Sequence, residues 1–349
     1  MHPTRPQIGP AVATEAGWQA ELAQGYRNPT ELLDALGLRP ADCNLAATDS
    51  AGDGSVAFPL RVPRSFVARM RPGDPRDPLL LQVLPTLAET EPTPGFVSDP
   101  VGDLASARTP GLLQKYAGRA LLITTGACAI HCRYCFRREY PYAEFSATAS
   151  QLGAALGAIA ADTSLEEIIL SGGDPLVLGE QRLENLLDAL DDLPHIQRIR
   201  LHSRVPVVLP ERIDKRLLAV LGRLRARVVV VIHANHGNEL DAPVARALNE
   251  LAAVTGPLLN QSVLLRGIND SPAALVALSR ALFAAGVMPY YLHQLDPVAG
   301  AAHFAVSDAR AVELVTAVSM ALPGYLVPRL VRETPGAGSK TPLGFFGTT

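Results

Sequence analysis

Apolar positions follow two regimes along the chain. From Gly118 onward, short apolar runs are each followed by a polar or glycine turn and then by a stretch of helical period. The runs are ALLIT (120–124), EIIL (167–170), RIRLH (198–202), VVVVIH (228–233), NQSVLL (260–265) and MPYYLH (288–293). Helical stretches fall between them near 147–161, 181–190, 211–224, 241–254, 272–285 and 308–321. Several runs are apolar at successive positions, as strands buried on both faces are, so six βα units predict a parallel sheet covered by helices. Their spacing suits an α/β partial (β/α)6 parallel barrel, with a doubly wound open sheet as the rival. Cys128, Ser171–Asp174, His202–Arg204, His233–His236 and His293–Asp296 all sit at or just beyond strand ends. That edge is where a parallel barrel builds its active site.

Residues 1–105 lack such alternation. Pro- and Gly-rich patches at 72–78 and 89–95 punctuate short helical stretches, Pro29–Gly37 and Arg64–Met70. The expected organisation is a mainly helical N-terminal extension (1–105), the barrel (106–330) and a short C-terminal cofactor-binding segment (331–349). No internal repeat and no low-complexity tract interrupts it.

Composition narrows the function. Of 349 residues 48% are hydrophobic, enough for a sizeable core, and a net charge of −3 gives no reason to expect nucleic acid or an acidic membrane surface. No apolar stretch at the N-terminus has signal-peptide length and none elsewhere approaches the ~20 residues of a membrane span, so a soluble cytoplasmic protein is expected. Three of the four cysteines fall within eight residues, a clustering typical of metal sites. Lysine occurs only at 115, 215 and 340, so chemistry needing a primary amine has three candidates.

The cysteines form Cys128-x3-Cys132-x2-Cys135 directly after the first barrel strand. Three thiolates on one loop can hold three irons of a cubane cluster and leave the fourth open to a chelating ligand. The alternative is a closed zinc site, with His131 or Cys43 as fourth ligand; Cys43 otherwise reads as an incidental thiol. The spacing, with Tyr134 before the last cysteine, resembles the signature of the radical S-adenosylmethionine superfamily. The resemblance implies a [4Fe-4S] cluster and S-adenosyl-L-methionine, with Tyr134 and the Gly172-Gly173-Asp174 turn at the latter. Glycines there would let backbone carbonyls approach an ammonium.

Near the C-terminus, Thr334-Pro-Gly-Ala-Gly-Ser-Lys340-Thr-Pro first suggests a phosphate loop, but Thr334 and Ser339 occupy the positions where that motif needs glycine, and no helix follows. From about Arg61 to Leu343 the chain resembles the lysine 2,3-aminomutases, in the blocks CRYCFRR, SGGDPL, HSRVPVVLP, NQSVLLRGIND and PGAGSKTP. The resemblance implies pyridoxal 5'-phosphate bound as a Schiff base to Lys340. Lys215 is left on a solvated helix face, and Lys115 at the surface or near the cofactor phosphate. It further implies that Arg119, with Lys115 and Tyr116 beside it, holds that phosphate. Arg137 would bind the carboxylate of substrate L-lysine, and Asp296 and Glu333 its ε-ammonium. His233 and Gln261 would contact S-adenosylmethionine. Glutamate as substrate would need a cation where Asp296 and Glu333 stand.

Two departures from the catabolic members are visible: the chain stops soon after Lys340, where they continue into a metal-binding segment, and Glu333 replaces an aspartate. Together with the RVPRSF, PYYLHQLD-x-x-x-GAAHF and YLVPRL-x-R-E blocks, they resemble the subgroup making (R)-β-lysine for modification of translation elongation factor P. The implied partners are an external one-electron reductant, and elongation factor P with its lysyl-transferring enzyme. A free-standing amino-acid mutase, or a non-catalytic iron–sulfur carrier or scaffold, are the rivals.

Overall fold

The computed structural model describes residues 17–45, 58–142 and 149–344. Ten strands form one sheet in the order in which they occur: β1 (Ala107–Thr109), β2 (Leu112–Tyr116), β3 (Arg119–Thr125), β4 (Glu167–Gly172), β5 (Arg198–Ser203), β6 (Arg227–Ile232), β7 (Leu258–Val263), β8 (Val287–His293), β9 (Arg329–Arg332) and β10 (Thr341–Pro342). Strands β3 to β9 are parallel, while β1 and β2 at one edge and β10 at the other pair antiparallel. The six expected strands are β3 to β8. The sheet adds a seventh parallel strand, β9, and antiparallel margins on both sides.

The helices Ala149–Ala161, Glu180–Asp191, Lys215–Arg223, Ala242–Val254, Pro272–Ala284 and Asp308–Ala321 follow β3 to β8 in turn. Several begin where a short polar side chain accepts a first-turn N–H: Asp214 from Leu217, Asp241 from Val244, Ser271 from Ala274 and Ser307 from Arg310. None among the described residues is long and apolar enough to cross a membrane.

The strands differ in what their inner face carries. Ile199 and Leu201 of β5 are buried, whereas Arg198, Arg200 and His202 alternate with them and remain partly accessible. Ladder register puts Arg200 between Ile169 and Val229, and Tyr291 between Gln261 and Arg329. This face, carrying His202, Gln261, Tyr291 and His293, lines the lumen. It is more polar than the apolar runs suggest, because RIRLH puts its charges inward and its aliphatics outward.

Outside the sheet, one core runs without a break from the extension to the barrel. Trp18, Leu32, Leu33, Phe66, Leu79, Leu80 and Val83 share a cluster with Leu122, Ile168, Leu170, Ile199, Val230 and the helix residues Leu183, Leu187 and Leu190. Burial of each such side chain contributes roughly 1.5–3 kcal/mol, so the extension is fastened to the barrel by its apolar side chains. Among the described residues no backbone ladder joins β1 to β10. Side chains cross that gap instead: the Tyr116 hydroxyl of β2 donates to Glu333, just past β9, over 2.7 Å.

Candidate active site

The cysteine loop leaves β3 at Thr125 and is held against the turn after β4. The N–H of Gly173 donates to the Thr125 carbonyl over 2.7 Å, and that of Asp174 to Ala127 over 2.8 Å. Gly172 has φ +115°, and a Cβ at Gly173 would lie 2.1 Å from the Ala127 oxygen. Both glycines therefore serve the seating of the cysteine loop. The Asp174 carboxylate accepts from the Ser203 hydroxyl (2.7 Å) and from the backbone of Leu176, Arg204 and Val205. Burial pushes it up to about 6 against those hydrogen bonds. It ties β4 to β5.

Burial, and then the neighbouring thiols, raise Cys135 to about 11 and push Cys128 well above its ordinary range, with Asp174 adding to the effect at Cys128. Cys132 opposes ionisation of both Cys128 and Cys135, and the natural complement of such a set is a multivalent cation that takes thiolates as ligands. That donor chemistry fits a cluster. The two other candidate zinc ligands are engaged elsewhere. His131 stacks on Phe58 at 4.8 Å and its Nδ1 meets the Pro59 carbonyl at 2.8 Å; Cys43 packs against the apolar core.

Beside the loop lies a buried polar network. The Tyr134 ring stacks on His233 at 5.7 Å, with the hydroxyl 2.9 Å from His233 Nε2 and 3.2 Å from Gln82 Oε1, to which it donates. Asn235 donates to the same hydroxyl over 2.6 Å. Arg204, at the end of β5, donates to Cys132 Sγ and Gln82 Oε1 (2.7 Å each) and to Glu239 Oε2 (3.0 Å). Burial and then the Arg204 charge drive His233 down to about 3, so it is a neutral imidazole.

The other end of the lumen is organised around Lys340. Its ammonium donates to Glu333 Oε2 over 2.7 Å and lies 5.9 Å above the Tyr291 ring. Burial raises the Glu333 carboxyl, but the Lys340 ammonium and the Tyr116 hydroxyl outweigh it and hold the group below its usual range. Arg119 lies over the Tyr116 ring at 4.5 Å. Lys115, expected at the surface or near a phosphate, is mostly buried: it pairs with Asp103 at 2.7 Å and lies 3.9 Å from Glu333. Asp103 also accepts from Arg137 Nε over 2.6 Å, and Arg137 donates to Ser171 over 3.1 Å. Lys215 is exposed, as a solvated helix face requires.

Between these two ends the lumen presents polar atoms that no described residue satisfies. Gln261 Nε2, His202 Nε2, His293 Nε2 and Asp296 Oδ1 are buried without a hydrogen-bond partner. Burial first, and then the Lys340 charge among others, keep His293 and His202 neutral. Leaving one such group unpaired costs about 1–3 kcal/mol, which a polar ligand would offset. The expected residues thus fall into two sets facing one lumen: Cys128, Cys132, Cys135, Tyr134 and His233 at one end, Lys115, Tyr116, Arg119, Glu333 and Lys340 at the other. Arg204, Glu239, Gln82, Asp103, Tyr291 and His293 join them without having been given a role by the sequence. The strand-end clusters flagged Arg204 and His293. Gln82 and Asp103 come from irregular segments with no periodic signal.

Comparison with known proteins identifies the family. The profile of the Radical SAM superfamily matches residues 122–275, from β3 into the helix after β7. The L-lysine 2,3-aminomutase of Escherichia coli strain K12 is 48% identical over 326 residues, covering 93% of this chain and 94% of that protein. The L-lysine 2,3-aminomutase of Haemophilus influenzae is 41% identical over 95% of this chain and 97% of its own length. That of Clostridium subterminale is 34% identical over 80% of this chain and 67% of its own. Three cysteines seated on the first βα loop, a lumen with unsatisfied polar atoms, and near full-length similarity to these enzymes lead to one conclusion: the chain is a radical S-adenosylmethionine enzyme of the L-lysine 2,3-aminomutase family.

Proposed function

We propose that this isomerase converts L-α-lysine to (R)-β-lysine by moving the amino group from C2 to C3, and that the product is made for β-lysylation of translation elongation factor P. The observation that carries the reading is the pairing of Lys340 with Glu333 inside the lumen, within the electrostatic reach of Asp296. An amine able to take a carbonyl cofactor sits there beside two carboxylates able to take a second ammonium.

The residues divide the work. Cys128, Cys132 and Cys135 hold the cluster, and Tyr134, His233 and Gln261 line the S-adenosylmethionine side, with the Gly172-Gly173-Asp174 turn as its floor. Lys340 anchors pyridoxal phosphate, whose phosphate falls to Arg119, Tyr116 and Lys115. When bound, the cluster with S-adenosylmethionine supplies a carbon radical that abstracts hydrogen, and pyridoxal phosphate supplies a conjugated carbonyl for the migrating nitrogen. Arg137 presents a buried guanidinium to the substrate carboxylate, a planar fork suited to that group. Asp296 and Glu333 bind the ε-ammonium at the far end and so fix which carbons face the cysteine loop.

The test is anaerobic incubation of the reconstituted, reduced protein with L-lysine, S-adenosylmethionine and pyridoxal phosphate, followed by chiral product analysis. The expected product is (R)-β-lysine. No β-lysine from protein with a full iron and sulfide complement overturns the reading. A mass increase on elongation factor P, in the presence of its lysyl-transferring enzyme and this product, tests the physiological part.

A further inference from the structure

We propose that Arg204 is a positioning residue that sets the reduction potential of the cluster through Cys132, with Glu239 and Gln82 holding its guanidinium in place. The inference rests on the assignment of a [4Fe-4S] cluster to Cys128, Cys132 and Cys135. It does not depend on pyridoxal phosphate or on the substrate.

Arg204 is 6% exposed and Glu239 is fully buried. One terminal nitrogen of the guanidinium donates to Cys132 Sγ at 2.7 Å, the other to Glu239 Oε2 at 3.0 Å and Gln82 Oε1 at 2.7 Å. Its plane is flanked by the Phe66 and Tyr134 rings, 5.4 and 5.8 Å away. The residue is fixed from the other side as well, since its backbone N–H donates to Asp174 over 2.8 Å. Glu239 is pinned in turn, accepting at Oε1 from Gln82 Nε2 (3.1 Å) and from the backbone of Asn235 (2.8 Å) and His236 (3.0 Å). Neither partner of the ion pair can turn away without breaking several buried hydrogen bonds.

A buried arginine needs a counter-charge, and Glu239 supplies one. The second nitrogen is spent differently, on a sulfur that becomes a cluster thiolate. Reducing the cluster adds one electron to iron and sulfur together. A cation and a charge-assisted hydrogen bond at a ligating sulfur stabilise that added charge, and hydrogen bonds to sulfur are one lever by which proteins set such potentials. Glu239 acts in the opposite sense and limits the effect. The pair therefore makes a prediction of sign: removing the cation disfavours reduction, and removing the anion favours it.

The experiment uses the full chain, reconstituted anaerobically, in the wild type and in Arg204→Gln, Arg204→Lys and Glu239→Gln. Iron and sulfide are counted first. Each protein is then titrated with dithionite in the presence of redox mediators, and the reduced cluster is followed by electron paramagnetic resonance. At the wild-type midpoint, the reduced fraction of Arg204→Gln is expected to fall from half to about a tenth, because the contact favours the more negative, reduced cluster over the oxidised one by about a factor of ten, less than the whole worth of a charge-assisted hydrogen bond. Arg204→Lys keeps the charge without the fork and lies between the two. Glu239→Gln shifts the other way. A cluster-replete Arg204→Gln with the wild-type midpoint, or a Glu239→Gln shift in the same direction as it, overturns the proposal. If Arg204→Gln holds no cluster, Glu239→Gln and Arg204→Lys decide, and wild-type midpoints in both refute it. A wild-type chain that takes up no four-iron cluster fails at the earlier step, which the iron and sulfide count identifies.

Discussion

Burial inside the lumen pushes the Asp296 carboxyl up to about 7, with Lys340 drawing it down and Glu333 raising it further. In the unfolded chain the same group ionises near 3.9. Between roughly pH 4 and pH 7 the folded protein therefore binds the extra proton, and the ligand-free fold loses stability as pH rises through that window. By pH 8 it carries an ionised carboxylate in a desolvated cavity, at a cost of up to about 4 kcal/mol. Asp296→Asn should thus melt above the wild type at pH 8, with the difference fading toward pH 4. Its lysine kcat/KM should fall at least about 30-fold, because an ammonium in the site loses one charged partner. Matching melting curves at pH 8, or turnover within about threefold, would show that the carboxylate is neither strained nor used. Lys340 offers a second test at this scale. Borohydride reduction in the presence of pyridoxal phosphate, followed by peptide mapping, should label Lys340; label on Lys115 or Lys215 would refute its role.

The turn after β4 shows how much a pair of glycines contributes to the site. Gly173→Ala would drive a methyl into the Ala127 carbonyl, with no flexible side chain there to yield. We expect it to lose more than about 2 kcal/mol of stability and most of its bound iron, since the displaced backbone carries Cys128. Gly153, exposed in the helix Ala149–Ala161 with open space around its Cβ position, is the contrast. Gly153→Ala should stabilise by about 0.5–1 kcal/mol with iron content unchanged. Thermal melts and iron assays decide both, and equal behaviour of the two variants would remove the steric argument. Sequence alone revealed β3 to β8 because each is an apolar run bounded by turns and followed by helical period. The outer strands were illegible for a physical reason. RLVR between Pro328 and Glu333 is four residues long, and β1 and β10 are shorter, so their place is settled by neighbouring strands and by polar contacts such as Tyr116 to Glu333. At the site, Cys128, Cys132 and Cys135 stood out by local spacing, whereas Lys340 was picked out by the family resemblance of its segment. Gln82 and Asp103 meet Arg204 and Arg137 only through the fold, from segments whose pattern carries no sign of it.

The whole molecule is a wound sheet whose neighbours in space are neighbours in sequence, and this bears on the order in which its two ends come together. The seat of the cysteine loop draws on β3 and β4, whereas the contact of Tyr116 with Glu333 spans 217 residues. Closing the longer loop costs more chain entropy and must await β5 to β9. Pulse-labelled hydrogen exchange during refolding should find amides of β3 and β4 protected before those of β9 and β10; simultaneous protection would contradict this. Maturation then has a direction. A chain folded in that order presents its three cysteines before Lys340 and Glu333 are brought to Tyr116. Metal loading can precede completion of the lumen, and the radical chemistry stays disarmed until the final seam is drawn shut.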